Sequence, residues 1–273
     1  MADKKSPEKP DKPFFVGYLP MPAALARFYW PLALLLLAAA AAAGHFWAMQ
    51  QQSAGEATWR PAAPEVLRGV LTLRPYPALH RFHPQNPGRI ESVLLVGQGK
   101  HAANLPARFD GRAVAIRGAE ILRGNWRMLE IPSVTENENG HENSGENSGT
   151  ISLAEIPDEN ALRAELGFES LGGVVFRGEI ADSKCFLGVM KPGAGAVHKA
   201  CAELCLLGGI PPMLVVQNAQ REKFGYLLLN TDGTSAAKSL APLAAESVQV
   251  RGELLRQGDL LFVKMNAGGL ARF

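Results

Sequence analysis

The chain has 273 residues, 47% of them hydrophobic, which is enough apolar material for packed cores and a length typical of two modest domains. Its 28 basic and 26 acidic residues leave a net charge of +2, so charge gives no argument for nucleic acid as a partner. The sequence has no Gly-rich phosphate loop, no Gly-x-Ser-x-Gly and no His-Glu-x-x-His, which argues against nucleotide enzymes and hydrolases and identifies no catalytic residue.

The first predicted element is a membrane-spanning helix over residues 28–49. This uncharged run is long enough to cross a hydrocarbon core of ~30 Å. Basic residues precede it, and no charged residue follows it until Glu56. The positive-inside rule therefore places residues 1–27 in the cytoplasm and the residues after the helix on the periplasmic side of the inner membrane. A cleaved signal peptide is the alternative, and in both cases the bulk of the chain is exported, where disulfides are permitted.

The exported part is predicted to divide into two domains. A polar tether over 50–63 leads to the first domain, 64–135. Residues 136–150 are rich in Glu, Asn, Gly and Ser with no aliphatic side chain before Thr150, which predicts a flexible acidic linker. The second domain is 151–273.

The two halves contain similar glycine-bearing hairpins. An Arg-Gly pair ends at Gly118 in the first half and at Gly252 in the second, and a turn glycine follows at Gly124 and Gly258. The second half reads strand, strand, strand, helix, strand, strand, which resembles the order of the five-stranded OB barrel. The resemblance implies a mainly β protein of two small OB-like barrels with short helices, preceded by one transmembrane helix.

One membrane helix followed by an OB-like barrel is similar in layout to the haem chaperone of cytochrome c maturation. That family attaches haem through a histidine near a tyrosine in a tail after the barrel. Here the chain ends in 268–273, Gly-Gly-Leu-Ala-Arg-Phe, so the haem-attaching pair is missing.

The chemistry-bearing segment is an insertion over 182–212 in the second domain. It contains all three cysteines of the chain, together with one histidine. His198, Cys201 and Cys205 fall within roughly 60° of arc on one helix face, and Cys185 follows the preceding strand. These four residues can bind zinc, copper or haem, form a disulfide that leaves one thiol over, or act as a redox-active dithiol.

Supporting roles are predicted for two neighbours of the cysteines. Asp182 could orient the imidazole and Lys184 could lower the pKa of a thiol. A weaker metal candidate is the pair His80 and His83 in the first domain, for which the sequence shows no third ligand.

The functional expectation is a membrane-tethered, non-catalytic binding or accessory protein of an envelope redox or metal-handling assembly. It would meet a membrane or periplasmic protein partner and no nucleic acid. The alternative is a thiol-redox, metal-binding or haem-binding protein in which the cysteine insertion itself is the functional centre. The state of the cysteines discriminates between the two.

Overall fold

The computed structural model describes residues 22–50, 57–132, 151–220 and 222–273. The predicted linker at 136–150 lies outside the described residues, as does most of the predicted cytoplasmic segment. The chain forms two compact units, Met1–Gln52 and Ser53–Phe273.

The first unit contains helix α1, Ala23–Gln50, which covers the predicted span. Its stretch Ala23–Ala48 is apolar and unburied, and by length and composition it could cross a membrane. Pro31 lies inside the helix. Large apolar side chains such as Phe28, Trp30 and Trp47 are exposed along it.

The second unit is mainly β, as predicted. The strands of its first half are β1 Ala57–Thr72, β2 Ala78–His83, β3 Asn86–Gly97, β4 Ala113–Arg123, β5 Trp126–Ile131 and β6 Ile151–Leu153. Those of its second half are β7 Glu169–Asp182, β8 Pro212–Gln217, β9 Lys223–Leu229, β10 Ser247–Gln257 and β11 Leu260–Arg272. The remaining helices are short: α2 Glu159–Ala164, α3 Lys199–Leu207 and α4 Ala237–Leu240.

Both halves close into five-stranded barrels with the same strand order. In the first barrel the order is β1–β2–β3–β5–β4, and β4 returns to pair with β1. In the second it is β7–β8–β9–β11–β10, and β10 pairs with β7. Each barrel has one parallel pair, β3 with β5 and β9 with β11, while its other neighbours are antiparallel. The architecture is therefore OB-like.

The glycines that recur in the two halves occupy corresponding places in the barrels. A side chain at Gly118 on β4 would collide with the carbonyl oxygen of Glu130 on β5. A side chain at Gly252 on β10 would collide with that of Lys264 on β11. Only glycine allows the two strands of each hairpin to approach so closely, which explains why the glycine lies inside a strand.

Two domain boundaries differ from the sequence-based ones. Strand β1 begins at Ala57, inside the predicted tether, and its pairing with β4 shifts register between Arg60 and Glu65. Strand β6 lies in the segment assigned to the second domain, yet it pairs with β4 of the first barrel. The reason is Ile151, whose side chain is buried in the first barrel's core.

The two barrels share an apolar core in addition to their own. One cluster of buried side chains draws on both, with Leu94 and Met128 from the first barrel packed with Leu227 and Phe262 from the second. Tyr76 of the first barrel reaches into the second, where its hydroxyl donates to the carbonyl of Leu228 and accepts the N–H of Ala236. The barrels are therefore joined by burial as well as by the chain.

Candidate metal and thiol site

The insertion leaves the second barrel where β7 ends. A wide helical segment, Cys185–Val189, with a kink at Gly188, begins three residues after the end of β7 at Asp182. A Pro- and Gly-containing loop at 191–195 leads to a short helical turn and then to α3, which carries Cys201 and Cys205. The predicted helix and the predicted place of Cys185 at the end of the strand are thus both present.

The three cysteines converge. The sulfur atoms of Cys185, Cys201 and Cys205 all lie within 4.8 Å of one another. Cys185 and Cys205 are buried and Cys201 is half-buried. All three cysteines are free thiols in this structure.

A second group of ligand atoms shares one member with the first. Asp182, Cys185 and His198 place one carboxylate oxygen, one sulfur and one ring nitrogen within 4.8 Å of one another. Asp182 accepts the backbone N–H of Cys185 at 2.8 Å through Oδ1, and its Oδ2 lies 3.1 Å from Nε2 of His198. Asp182 thus contacts both the imidazole and the start of the cysteine turn.

His198 is therefore associated with Asp182 and Cys185, whereas the thiol triangle is completed by Cys201 and Cys205. The sequence analysis predicted that His198 and the three cysteines form one set of four ligands. Because His198 precedes α3 in a 3₁₀ turn, its side chain meets the end of β7.

The sequence analysis missed a lysine from the other barrel. Lys100, in the loop after β3, donates from Nζ to the sulfur of Cys201 at 2.8 Å. The same ammonium lies 3.5 Å from the carbonyl oxygen of Cys201. No local pattern could have revealed this contact, because Lys100 and Cys201 are 101 residues apart and belong to different barrels.

Lys184, for which a role beside the thiols was predicted, points elsewhere. Its side chain is almost fully buried, and Nζ pairs with Glu130 at 2.6 Å. It also donates to the carbonyls of Gly97 and Gly99 at 2.8 Å and 2.7 Å. Lys184 therefore holds the loop that carries Lys100, and Lys100 is the cation that touches a thiol.

The thiols differ in acidity. The hydrogen bond from the Cys185 thiol, assisted by the Lys100 ammonium, lowers the pKa of Cys205 against the opposing effect of burial. Donation of that hydrogen bond, burial and the Asp182 carboxylate raise the pKa of Cys185. Lys100 has a raised pKa because its ammonium bonds Cys201. Cys205 is therefore the first of the two buried thiols to ionise.

His80 and His83, the weaker metal candidate in the first barrel, both take part in hydrogen bonds. His80 is fully buried, with Nε2 2.9 Å from the hydroxyl of Thr72 and Nδ1 2.9 Å from that of Ser92. Nδ1 of His83 accepts the backbone N–H of Gln85. Among the described residues, neither of the two groups that bring three ligand atoms together contains His80 or His83.

Comparison of the chain with protein-family models, with curated proteins and with solved structures gives no match. Function must therefore follow from the geometry of the site itself.

Proposed function

We propose that this chain is a membrane-anchored, exported metal-handling protein that binds one Cu(I) ion through Cys185, Cys201 and Cys205. The observation that carries the proposal is the convergence of the three sulfurs within 4.8 Å of one another. Soft thiolate ligands favour Cu(I), zinc and iron–sulfur clusters. Structural zinc almost always takes four ligands, whereas the triangle brings together three, so Cu(I) is the better fit.

The surroundings suit a buried thiolate centre. Three thiolates around a monovalent ion carry net negative charge, and the ammonium of Lys100 lies against Cys201 to offset part of it. Cys205, the thiol whose pKa is lowered, is the expected first ligand. Coordination of the same ion by Cys185 and Cys201 then releases the protons of these two thiols. Nothing in the arrangement requires a catalytic step, so storage of the ion or its transfer to an envelope protein is the proposed role.

The proposed location follows from the N-terminal helix. Helix α1 would anchor the chain in the inner membrane with the N-terminus in the cytoplasm, because basic residues cluster on that side. The barrels and their thiols would then face the exported compartment, together with the partner that supplies or receives the metal.

The test is a competition titration of the full-length protein in detergent, reduced and without oxygen, against a chromophoric Cu(I) chelator. One Cu(I) per chain is expected. Cys205→Ser should weaken binding by more than about 100-fold, because loss of a supporting residue alone typically costs 10–100-fold. Met190→Leu is the matched control, since Met190 is an exposed sulfur-containing residue of the same insertion that is outside the triangle.

Equal Cu(I) binding by wild type and Cys205→Ser would refute the proposal. Retention of Zn²⁺ in preference to Cu(I), with loss on His198→Ala, would instead indicate a four-ligand zinc site. In that case His198 would be the fourth ligand, since Cys185 belongs both to the group of three sulfur atoms and to the group that contains His198.

A dithiol redox couple is the second candidate function. It is favoured by the hydrogen bond between Cys185 and Cys205 and by the lowered pKa of Cys205. The thiolate of Cys205 would attack a partner disulfide, and Cys185 would then displace the partner, so two thiols are oxidised as one disulfide is reduced. Equilibration in glutathione buffers followed by alkylation should then show loss of two reactive thiols in one step, with Cys201 still alkylated.

A further inference from the structure

A cavity of about 310 Å³ lies between the two barrels, apart from the thiol triangle. Its walls are the β4–β5 turn and part of β3 from the first barrel, and the start of β9 and the β10–β11 turn from the second. The remaining wall is Phe186, the residue after Cys185. A concave space of this size where two domains meet is a common place for a small ligand.

The charged side chains around this cavity are mainly cationic. Arg89, Arg123, Arg127 and Lys223 line it, with Asp259 as the acidic residue. Arg127 is already neutralised, because its guanidinium pairs with three carboxylates, those of Glu65, Glu91 and Glu120. Arg89 lies 3.8 Å from the carboxylate of Asp259.

Arg123 has no compensating carboxylate among the described residues. In the part of the chain that the structure describes, no carboxylate pairs with it, and its buried Nε has no hydrogen-bond partner. Its guanidinium carbon lies 4.9 Å from the centre of the Phe186 ring, which is a cation–π contact. Burial lowers the pKa of Arg123, which reflects a charge without a partner.

The apolar part of the wall is aromatic. Trp126 follows the β4–β5 turn, Phe186 is buried beneath Arg123, and Tyr226 and the exposed Phe224 come from β9. Rings from three separate segments of the chain thus line the cavity that Arg123 also lines. Aromatic walls favour a ligand with a flat apolar ring, because offset or edge-to-face packing of two rings contributes free energy beyond that of burying their surface.

We infer that the cavity binds a small aromatic carboxylate, with the carboxylate on the guanidinium of Arg123 and the ring between Phe186 and Trp126. The planar fork of an arginine matches a carboxylate through two parallel hydrogen bonds. This site is independent of the proposed copper function, since none of the three sulfur atoms lines the cavity.

The test is calorimetric titration of the metal-free full-length protein in detergent with benzoate and 2-naphthoate, alongside quenching of tryptophan fluorescence. At least one of the two anions should bind at one site per chain. Trp126→Phe should remove the quenching, which assigns the signal to this cavity. Benzamide, which keeps the ring without the charge, and inorganic phosphate, which keeps a charge without the ring, should each bind at least 10-fold more weakly.

Arg123→Met should weaken binding of the anion at least 10-fold. The matched control is Arg117→Met, an exposed arginine on the same strand that does not line the cavity. Arg123→Lys, which keeps the charge, checks that a loss is not caused by misfolding, and it should retain part of the affinity at an unchanged melting temperature. The inference is overturned if neither anion binds, if benzamide binds equally well, or if Arg123→Met binds as tightly as Arg117→Met.

Discussion

Cys185 is the residue on which the two groups of ligand atoms meet. Its sulfur lies within 4.8 Å of the other two thiols and within the same distance of donor atoms on Asp182 and His198. Its pKa is raised by the hydrogen bond to Cys205, by burial and by the Asp182 carboxylate, so its proton leaves after that of Cys205. A metal that recruits all three sulfurs must displace that proton, and binding should therefore weaken as pH falls.

His80 makes the stability of the protein depend on pH. Burial lowers its pKa from 6.5 to about 4, so between these values the unfolded chain holds a proton that the folded chain does not. The stabilisation is complete above pH 6.5 and is lost as pH falls toward 4, by up to about 3 kcal/mol.

Thermal unfolding followed by fluorescence should show a melting temperature that falls by several degrees from pH 7 to pH 4.5. In His80→Gln the part of this fall that His80 causes should disappear. His83→Gln, at a half-buried histidine of the same strand, should keep the wild-type dependence. Parallel curves for wild type and His80→Gln would show that His80 is not the titrating group.

The geometry of the thiol site depends on how closely α3 approaches the loop after β3. Gly208 ends α3, and its carbonyl accepts the N–H of Ala102 at 2.9 Å. A side chain at Gly208 would collide with the carbonyl oxygen of Lys100, the residue whose ammonium reaches Cys201. Glycine is required here by the space available, since the backbone of Gly208 is in the ordinary helical region.

Gly208→Ala should therefore separate the loop from the helix. We expect a loss of about 1–3 kcal/mol in stability, the usual cost of overpacking. We also expect faster alkylation of Cys201, because withdrawal of Lys100 would leave its sulfur more accessible. Gly167→Ala is the control, because a side chain there would meet no atom within 4 Å. Unchanged alkylation of Cys201 in a stable Gly208→Ala protein would mean that Lys100 does not depend on this approach.

The elements themselves were largely readable from the sequence. Strands β8 and β9, the two glycine-bearing hairpins and the cysteine helix follow from periodicity and from Gly and Pro placement, which act over a few residues. The positions of Lys100 and Arg123 were not readable, because each acts on a segment of the other barrel. The same reason explains Lys184, which local reasoning placed beside the thiols and which pairs with a glutamate 54 residues away.

A buried ion pair connects the two barrels. Lys184, just after β7, crosses to Glu130 on β5, and the carboxylate of Glu130 also accepts the indole N–H of Trp59 at 3.0 Å. With the carbonyls of Gly97 and Gly99, the ammonium has three acceptors and Glu130 has two donors. Full hydrogen bonding of this kind is what makes a buried charge tolerable.

Removal of one member should then be costly. Lys184→Met is expected to destabilise the protein by about 3–5 kcal/mol, because the carboxylate of Glu130 is left buried without its cation. Lys264→Met is the matched control: its pair with Glu253 on the second barrel is about one-third exposed on each side, and such pairs contribute at most about 1 kcal/mol. The double variant Lys184→Met/Glu130→Gln should recover part of the loss, since the neutral amide still accepts from Trp59. Thermal unfolding measures all three variants, and a Lys184→Met protein as stable as Lys264→Met would show that the pair does not hold the barrels together.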